Sequence, residues 1–137
     1  MSNSLKTVSD KQGLGPGSLV HVGEVHQSDT RMSVVDYSKG HYEERLLTSV
    51  AEVLDYRDKE SITWVIIEGL ADGAIIESIG EHFNIQPLVL EDILNTHQRP
   101  KLEEHDDYLY IVLKSLIPEN EGFSVSYEQF SILLLDN

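Results

Sequence analysis

The sequence predicts an α/β protein in which short helices flank a mixed β-sheet in a three-layer αβα arrangement. The strongest strand candidate is the run 62–67, Ile-Thr-Trp-Val-Ile-Ile, which is β-branched and aromatic and is followed by Gly69. Segments 108–117 and 124–136 are also rich in strand-forming residues, and the turn-rich stretch 118–122 between them predicts a β-hairpin. Between the run 62–67 and the hairpin, the apolar residues have helical spacing. Such an alternation of strands and helices is typical of an α/β domain. The run 62–67 is expected to be a buried central strand, with Trp64 in the core.

The first quarter of the chain gives weaker signals. Residues 1–13 are polar and are predicted to be a flexible leader to a domain that covers residues 14–137. The run 18–25 favours a strand only weakly, because its apolar residues do not alternate.

Further elements follow before the central strand. Segments 32–37 and 41–47 are predicted to form strands. A helix is expected over residues 49–57, with Thr48 as its N-cap.

Two more helices are predicted after the central strand. Asp72 is a suitable N-cap for the first, whose apolar stripe comprises Ile75, Ile76, Ile79 and Phe83. Pro87 suits the first position of the second helix, because its missing N–H has no partner there in any case. Pro100 keeps Arg99 extended, so this helix must end before it.

The composition indicates a soluble, cytoplasmic protein. Twenty-four acidic residues against ten Lys and Arg give a formal net charge of −14, which disfavours nucleic acid and anionic membrane surfaces as partners. No run approaches the roughly 20 apolar residues that a membrane helix needs, so this chain itself is not expected to insert. The absence of cysteine excludes disulfides and thiolate metal sites. The chain stops just after the apolar run 132–135, which suggests a shortened protein.

Motifs of enzyme chemistry are absent, and we expect no catalytic activity. The glycines of 13–17 lack the flanking strand and the Lys-Ser/Thr of a phosphate loop, and there is no G-x-S-x-G elbow. The six histidines do not show the spacing of a zinc site and are interpreted as surface or structural residues. The run 105–107, His-Asp-Asp, has no third ligand in view.

One acidic pair lies in a distinctive setting. On the helix after Pro87, the side chains of Glu91, Asp92 and Asn95 share the face opposite an apolar sector. Hard cations such as Mg²⁺ prefer oxygen ligands of this kind. From the pattern alone, the solvated face of an amphipathic helix remains the favoured interpretation over a metal site.

The same helix carries a family resemblance. Residues 83–94, Phe-Asn-Ile-Gln-Pro-Leu-Val-Leu-Glu-Asp-Ile-Leu, and 97–101, His-Gln-Arg-Pro-Lys, closely resemble a segment of the CorA magnesium transporters. The resemblance extends over about residues 14–137. It implies a homopentameric channel of the cell (inner) membrane that carries Mg²⁺ and often Co²⁺, with a cytosolic N-terminal α/β domain. The stalk helix, the membrane helices and the G-M-N signature of the family are not in this sequence, so only the regulatory domain's properties carry over.

The resemblance also implies a metal site. It makes Asp92 the main ligand position and Glu91 an auxiliary one, facing a stalk acid of the neighbouring subunit. The expected ligand is a weakly bound, regulatory Mg²⁺, with Co²⁺ as a second candidate. The string 98–101 is expected to pair with local carboxylates and to fix the exit from helix to strand.

Two alternatives remain open at this point. The same domain could come from a zinc-handling relative, which stalk and pore sequences would distinguish. A free-standing α/β binding module or small α/β enzyme would need a nucleophile–base pair or a phosphate loop, and neither is visible in the sequence. The isolated chain is predicted to be a monomer or weak dimer rather than a pentamer, because its acidic surface self-repels.

Overall fold

The computed structural model describes residues 29–118 and 124–135, in which strands and short helices form an α/β fold as predicted. The strands pair in two three-stranded sheets, ordered β2-β1-β3 and β4-β5-β6, and every pair is antiparallel. A single mixed sheet is therefore not found within these ranges. The elements are β1 (Arg31–Ser38), β2 (His41–Leu47), α1 (Ala51–Leu54), β3 (Ile62–Glu68), α2 (Gly73–His82), α3 (Pro87–Leu94), β4 (Lys101–Glu104), β5 (Tyr108–Pro118) and β6 (Val125–Leu135).

The first sheet is built around β1. Because side chains alternate along a strand, Met32 and Val34 point to the same face, where they are buried. Leu47 of β2 joins them there, and the cluster is completed by Val53 of α1 and by Tyr56, two residues after the end of α1.

The second sheet is covered by α3. Asp72 caps α2 as predicted, since its Oδ1 accepts a hydrogen bond from the amide of Ala74 at 3.1 Å, and Pro87 is the first residue of α3. The predicted hairpin is confirmed by the β5–β6 pairing, which runs from Tyr108↔Leu135 to Pro118↔Val125. The apolar side of α3 packs on the inner face of this sheet through Val89, Leu90, Ile93, Leu94, Tyr108, Tyr110 and Val112.

Several predictions fall outside the described residues. These are the leader 1–13, the strand candidate 18–25 and the central residues of the hairpin turn, 119–123.

The helix predicted over 49–57 is shorter than expected. It comprises Ala51–Leu54, and its N-cap is Val50 rather than Thr48. The hydroxyl and the amide of Thr48 instead donate to the carboxylate of Glu52, which also pairs with Arg45 on β2. The Thr48 hydroxyl first, and then Arg45, lower the pKa of Glu52 to about 2. These polar contacts hold Thr48 beside Glu52 at the end of β2, so Thr48 does not cap the helix as predicted.

The burial predicted for the central strand is wrong for one of its faces. Trp64 is 52% exposed, and Ile62 and Ile66 on the same face are also exposed. Val65 and Ile67 face the opposite way and contact the core. In the described residues the helices cover only that inner face, which leaves the outer face of β3 uncovered.

The second sheet shows the same asymmetry. Leu102, Leu113, Phe130 and Leu134 lie on its outer face and are each about half exposed or more. A third layer is therefore not present in the part of the chain that the structure describes, although both sheets have an apolar surface that such a layer would cover.

Candidate metal centre

Helix α3 presents the two predicted ligands on its polar side. Its other side is fixed in the core by the buried residues Val89, Leu90, Ile93 and Leu94. Glu91 and Asp92 are consequently half-buried at the surface. The helix ends with the amide of Asn95 donating to the carbonyl oxygens of both residues, at 3.1 and 3.2 Å. The helix face predicted from the sequence for Glu91 and Asp92 is thus confirmed, and both carboxylates project from a helix that is fixed in the core.

Both carboxylate oxygens of Asp92 accept hydrogen bonds within the domain. Oδ1 accepts from the side-chain amide of Gln98 at 2.8 Å, and Oδ2 accepts from Nζ of Lys101 at 2.6 Å. The same ammonium group donates to Oε1 of Glu103 at 2.8 Å. Burial alone would lower the pKa of Lys101, but its hydrogen bonds to the two carboxylates raise it overall. Two residues of the string 98–101, Gln98 and Lys101, therefore pair with local carboxylates, as the sequence predicted.

The connection between α3 and β4 is held by a residue of the hairpin. The side chain of Gln129 accepts from the amide of Gln98 at 3.1 Å and donates to the carbonyl of Asn95 at 3.2 Å. The side-chain oxygen of Asn95 accepts from the amide of His97 at 3.2 Å. Asn95, which shares the polar face in the sequence pattern, thus stabilises the turn after α3.

The donor chemistry of this site fits a hard cation. A carboxylate has about four lone-pair positions, and Asp92 uses two of them here, so it retains the capacity to bind an ion. Glu91 lies beside it on α3, and both offer only oxygen. Two carboxylates cannot fill an octahedral shell, so water or another chain must supply the remaining ligands. The ammonium of Lys101 lies against Asp92 and opposes any cation that approaches.

A second group of potential ligands was missed by the sequence analysis. Asp36 on β1 pairs in register with Glu43 on β2, and His41 lies two residues before Glu43 on the same face. One ligand atom from each residue lies within 4.8 Å of the other two. A signal was available, because Asp36 is a charged residue at the next position of the alternating stripe that Met32 and Val34 begin, where an apolar residue is expected. The cross-strand register that joins it to His41 could not be obtained from the sequence.

The contacts of Asp36 show that this group is a charge-compensated structural cluster. Asp36 is 1% exposed, and its Oδ1 accepts from the hydroxyls of Thr63 at 2.6 Å and Ser61 at 2.7 Å. Its Oδ2 lies 3.3 Å from Nε2 of His41 and 3.9 Å from Nζ of Lys59. The hydroxyl of Thr63, followed by that of Ser61, lowers the pKa of Asp36 against the effect of burial. Both oxygens of this buried carboxylate are therefore engaged by groups of the domain itself, so its charge is compensated without an ion.

Among the described residues, no helix is long and apolar enough to cross a membrane.

Comparison with known proteins shows that this sequence is similar to metal-ion transport proteins. The family described as CorA-like Mg²⁺ transporter protein matches residues 59–137, a range that includes Glu91 and Asp92. The cobalt/magnesium transport protein CorA of Thermotoga maritima is 41% identical over 132 residues, which are 96% of this chain. The chain belongs to the CorA-like family. It spans 37% of the length of that relative.

Proposed function

We propose that residues 14–137 form the cytosolic regulatory domain of a divalent-cation channel or transporter in the cell (inner) membrane, with Mg²⁺ as its main ion and Co²⁺ as a second. The domain would sense intracellular Mg²⁺ rather than conduct it. The observation that carries this proposal is the position of Asp92, which lies beside Glu91 on a helix anchored in the core, within the segment that matches the family.

The proposed site is shared between subunits of a homopentamer. Asp92 is the main ligand and Glu91 an auxiliary one, and acids of a neighbouring subunit complete the shell. Carboxylates brought together across an interface repel each other, and a bound Mg²⁺ removes that repulsion. Loss of Mg²⁺ would then loosen the interface and favour the conducting state, which gives negative feedback on uptake. The ligands are all oxygens, which suits Mg²⁺ better than zinc.

Asp92→Ala is expected to weaken the response of a full-length protein carrying this domain to Mg²⁺. Without the main carboxylate, the interface holds the ion less tightly, so more Mg²⁺ is needed to stabilise the closed assembly. Limited proteolysis across a Mg²⁺ titration measures this as a shift of the protection midpoint to higher concentration.

The control for this experiment is Asp58→Ala, which removes an exposed acid from the segment before β3. It should leave the protection midpoint unchanged. A correctly assembled Asp92→Ala protein with the wild-type midpoint would show that Asp92 has no regulatory role.

We also propose that further helices complete the three-layer arrangement in the full-length protein. The outer faces of both sheets carry exposed apolar side chains, and Trp64 lies near the middle of β3, an edge strand of the first sheet, opposite Val35 of β1. A monomeric soluble protein rarely exposes a contiguous apolar surface of this kind without a partner.

Trp64, the single tryptophan of the chain, reports on this covering layer. Acrylamide should quench its fluorescence efficiently in the 137-residue chain, because the side chain is 52% exposed. In a full-length protein whose other tryptophans are replaced, quenching should fall severalfold. Equal quenching in the two proteins would contradict a third layer over β3. Dilution of the 137-residue chain controls for self-association through the same face.

A further inference from the structure

We propose that Lys101 is a tethered competitor of the divalent cation at Asp92, so that its ammonium group sets the Mg²⁺ concentration at which the site fills. This inference rests on the proposed function, since it concerns the regulation of the same site. It assigns to Lys101 a role in ion affinity beyond fixing the exit from α3.

The competition follows from the position of the ammonium group. Nζ of Lys101 lies 2.6 Å from Oδ2 of Asp92, so it occupies space that a cation bound to this oxygen would need. The side chains of Lys101 and Asp92 are 24% and 32% exposed, so water screens the pair only in part. A divalent ion that binds Oδ2 must displace the ammonium, and one that binds elsewhere on the carboxylate must tolerate its repulsion.

The surroundings give Lys101 a second position after displacement. Its Nζ already donates to Oε1 of Glu103 at 2.8 Å and lies 5.1 Å from the ring centre of Tyr110. A small rotation of the side chain can therefore release Asp92 while one carboxylate contact and the cation–π contact remain. The ammonium does not become a buried charge without a partner, which keeps displacement by Mg²⁺ feasible.

A tethered competitor has a functional consequence. The ammonium is shared between Asp92 and Glu103, so the group keeps a net negative charge when Mg²⁺ is scarce. The ion must displace the ammonium from Asp92, so the site fills only when Mg²⁺ is abundant. Monovalent cations compete poorly under the same conditions, because they must displace the same ammonium with half the charge. The affinity is thereby tuned to a weak range that suits a sensor.

The test is a Mg²⁺ titration of the 137-residue chain followed by NMR, with the amide signals of Asp92 and the side-chain signals of Lys101 as readouts. In the wild type, Mg²⁺ should shift both sets together, because ion binding moves the ammonium. Lys101→Met removes the charge and retains the aliphatic stem. It should lower the Mg²⁺ concentration at half-saturation by about three- to tenfold, the range expected for a partly buried ion pair.

Three further variants separate this role from others. Lys101→Arg keeps the charge and should show no gain in affinity. Lys39→Met makes the same change of net charge in the exposed turn between β1 and β2 and should behave as the wild type. If Lys101→Met does not fold, as judged by the loss of a dispersed NMR spectrum, Lys101→Gln takes its place. The same gain in Mg²⁺ affinity is expected for Lys101→Gln.

The outcomes distinguish the inference from the proposed function. A gain in affinity for Lys101→Met but not for Lys39→Met supports the inference. A response to Mg²⁺ in the Lys101→Met chain alone, with none in the wild type, also supports the inference. If the wild type responds but Lys101→Met has an equal or weaker affinity, Lys101 is a positioning residue or a bystander, and the inference alone is wrong. If neither chain responds at Asp92, the inference is wrong, whereas the intersubunit site of the proposed function is decided separately by the Asp92→Ala proteolysis of the full-length protein.

Discussion

Leu94→Ala is expected to lower the free energy of unfolding by about 2–5 kcal/mol, which would make it one of the most damaging single changes in the domain. Leu94 is 0% exposed and lies in the cluster that joins α3 to β5, together with Tyr110 and Val112. Its truncation removes buried apolar surface and leaves a cavity that the two neighbouring elements cannot fill without moving. Chemical denaturation of the 137-residue chain measures the loss directly.

Leu88→Ala is the matched control, since it makes the same change six residues earlier in the same helix. Leu88 is 59% exposed, so its truncation should alter the free energy of unfolding by no more than about 0.5 kcal/mol. Equal losses for the two variants would mean that α3 is rotated from the orientation described here. Such a rotation would also move Asp92, so the comparison tests the geometry of the candidate site as well as the core.

The orientation of α3 could be predicted because it depends on local rules. Pro87 marks the first helical position, and the apolar residues that follow it have a spacing that only one helix face can bury. The position of Asp92 on the opposite side then follows from 3.6 residues per turn. The sequence predicted that residues 98–101 pair with local carboxylates, but not that Lys101 pairs with Asp92. The 2.6 Å contact between them depends on how β4 folds back beside the helix.

The burial of β3 could not be predicted in the same way. A run of β-branched and aromatic residues indicates a strand with two apolar faces, which normally belongs in the middle of a layered domain. The strand is present, but Trp64 is exposed because α1 and α2 cover only the face that carries Val65 and Ile67. The sequence of β3 thus has the pattern of a more extensively covered sheet than the described residues provide.

The Asp36 cluster illustrates a second limit. Asp36, His41 and Glu43 meet because the β1–β2 register places Asp36 opposite Glu43. Register depends on turn geometry and on the pairing of whole strands, whereas motif searches examine spacing along the chain. The hydroxyls of Ser61 and Thr63, which stabilise the buried carboxylate, come from β3 and the residue before it, some 25 residues further on.

Asp92→Lys is expected to have the largest effect on the proposed regulation, because it should make the closed assembly of a full-length protein independent of Mg²⁺. An ammonium at this position would stand where the divalent ion is proposed to bind, and it would neutralise the acids of the neighbouring subunit permanently. Lys101 would lose Asp92 as a partner but could still donate to Glu103. The two ammonium groups would repel each other, which favours an orientation of the new side chain toward the neighbouring acids.

Limited proteolysis without Mg²⁺ tests this expectation against a neutral variant of similar length. Asp92→Lys should be as resistant to protease in the absence of Mg²⁺ as the wild type is at saturating Mg²⁺. Asp92→Met, which removes the carboxylate without adding a cation, should be readily cleaved under the same conditions and should respond only weakly to added Mg²⁺. If the two variants are cleaved equally fast, a positive charge at this position does not substitute for the ion. Asp92 would then not face the acids of a neighbouring subunit, because a cation placed between such acids must reduce their repulsion.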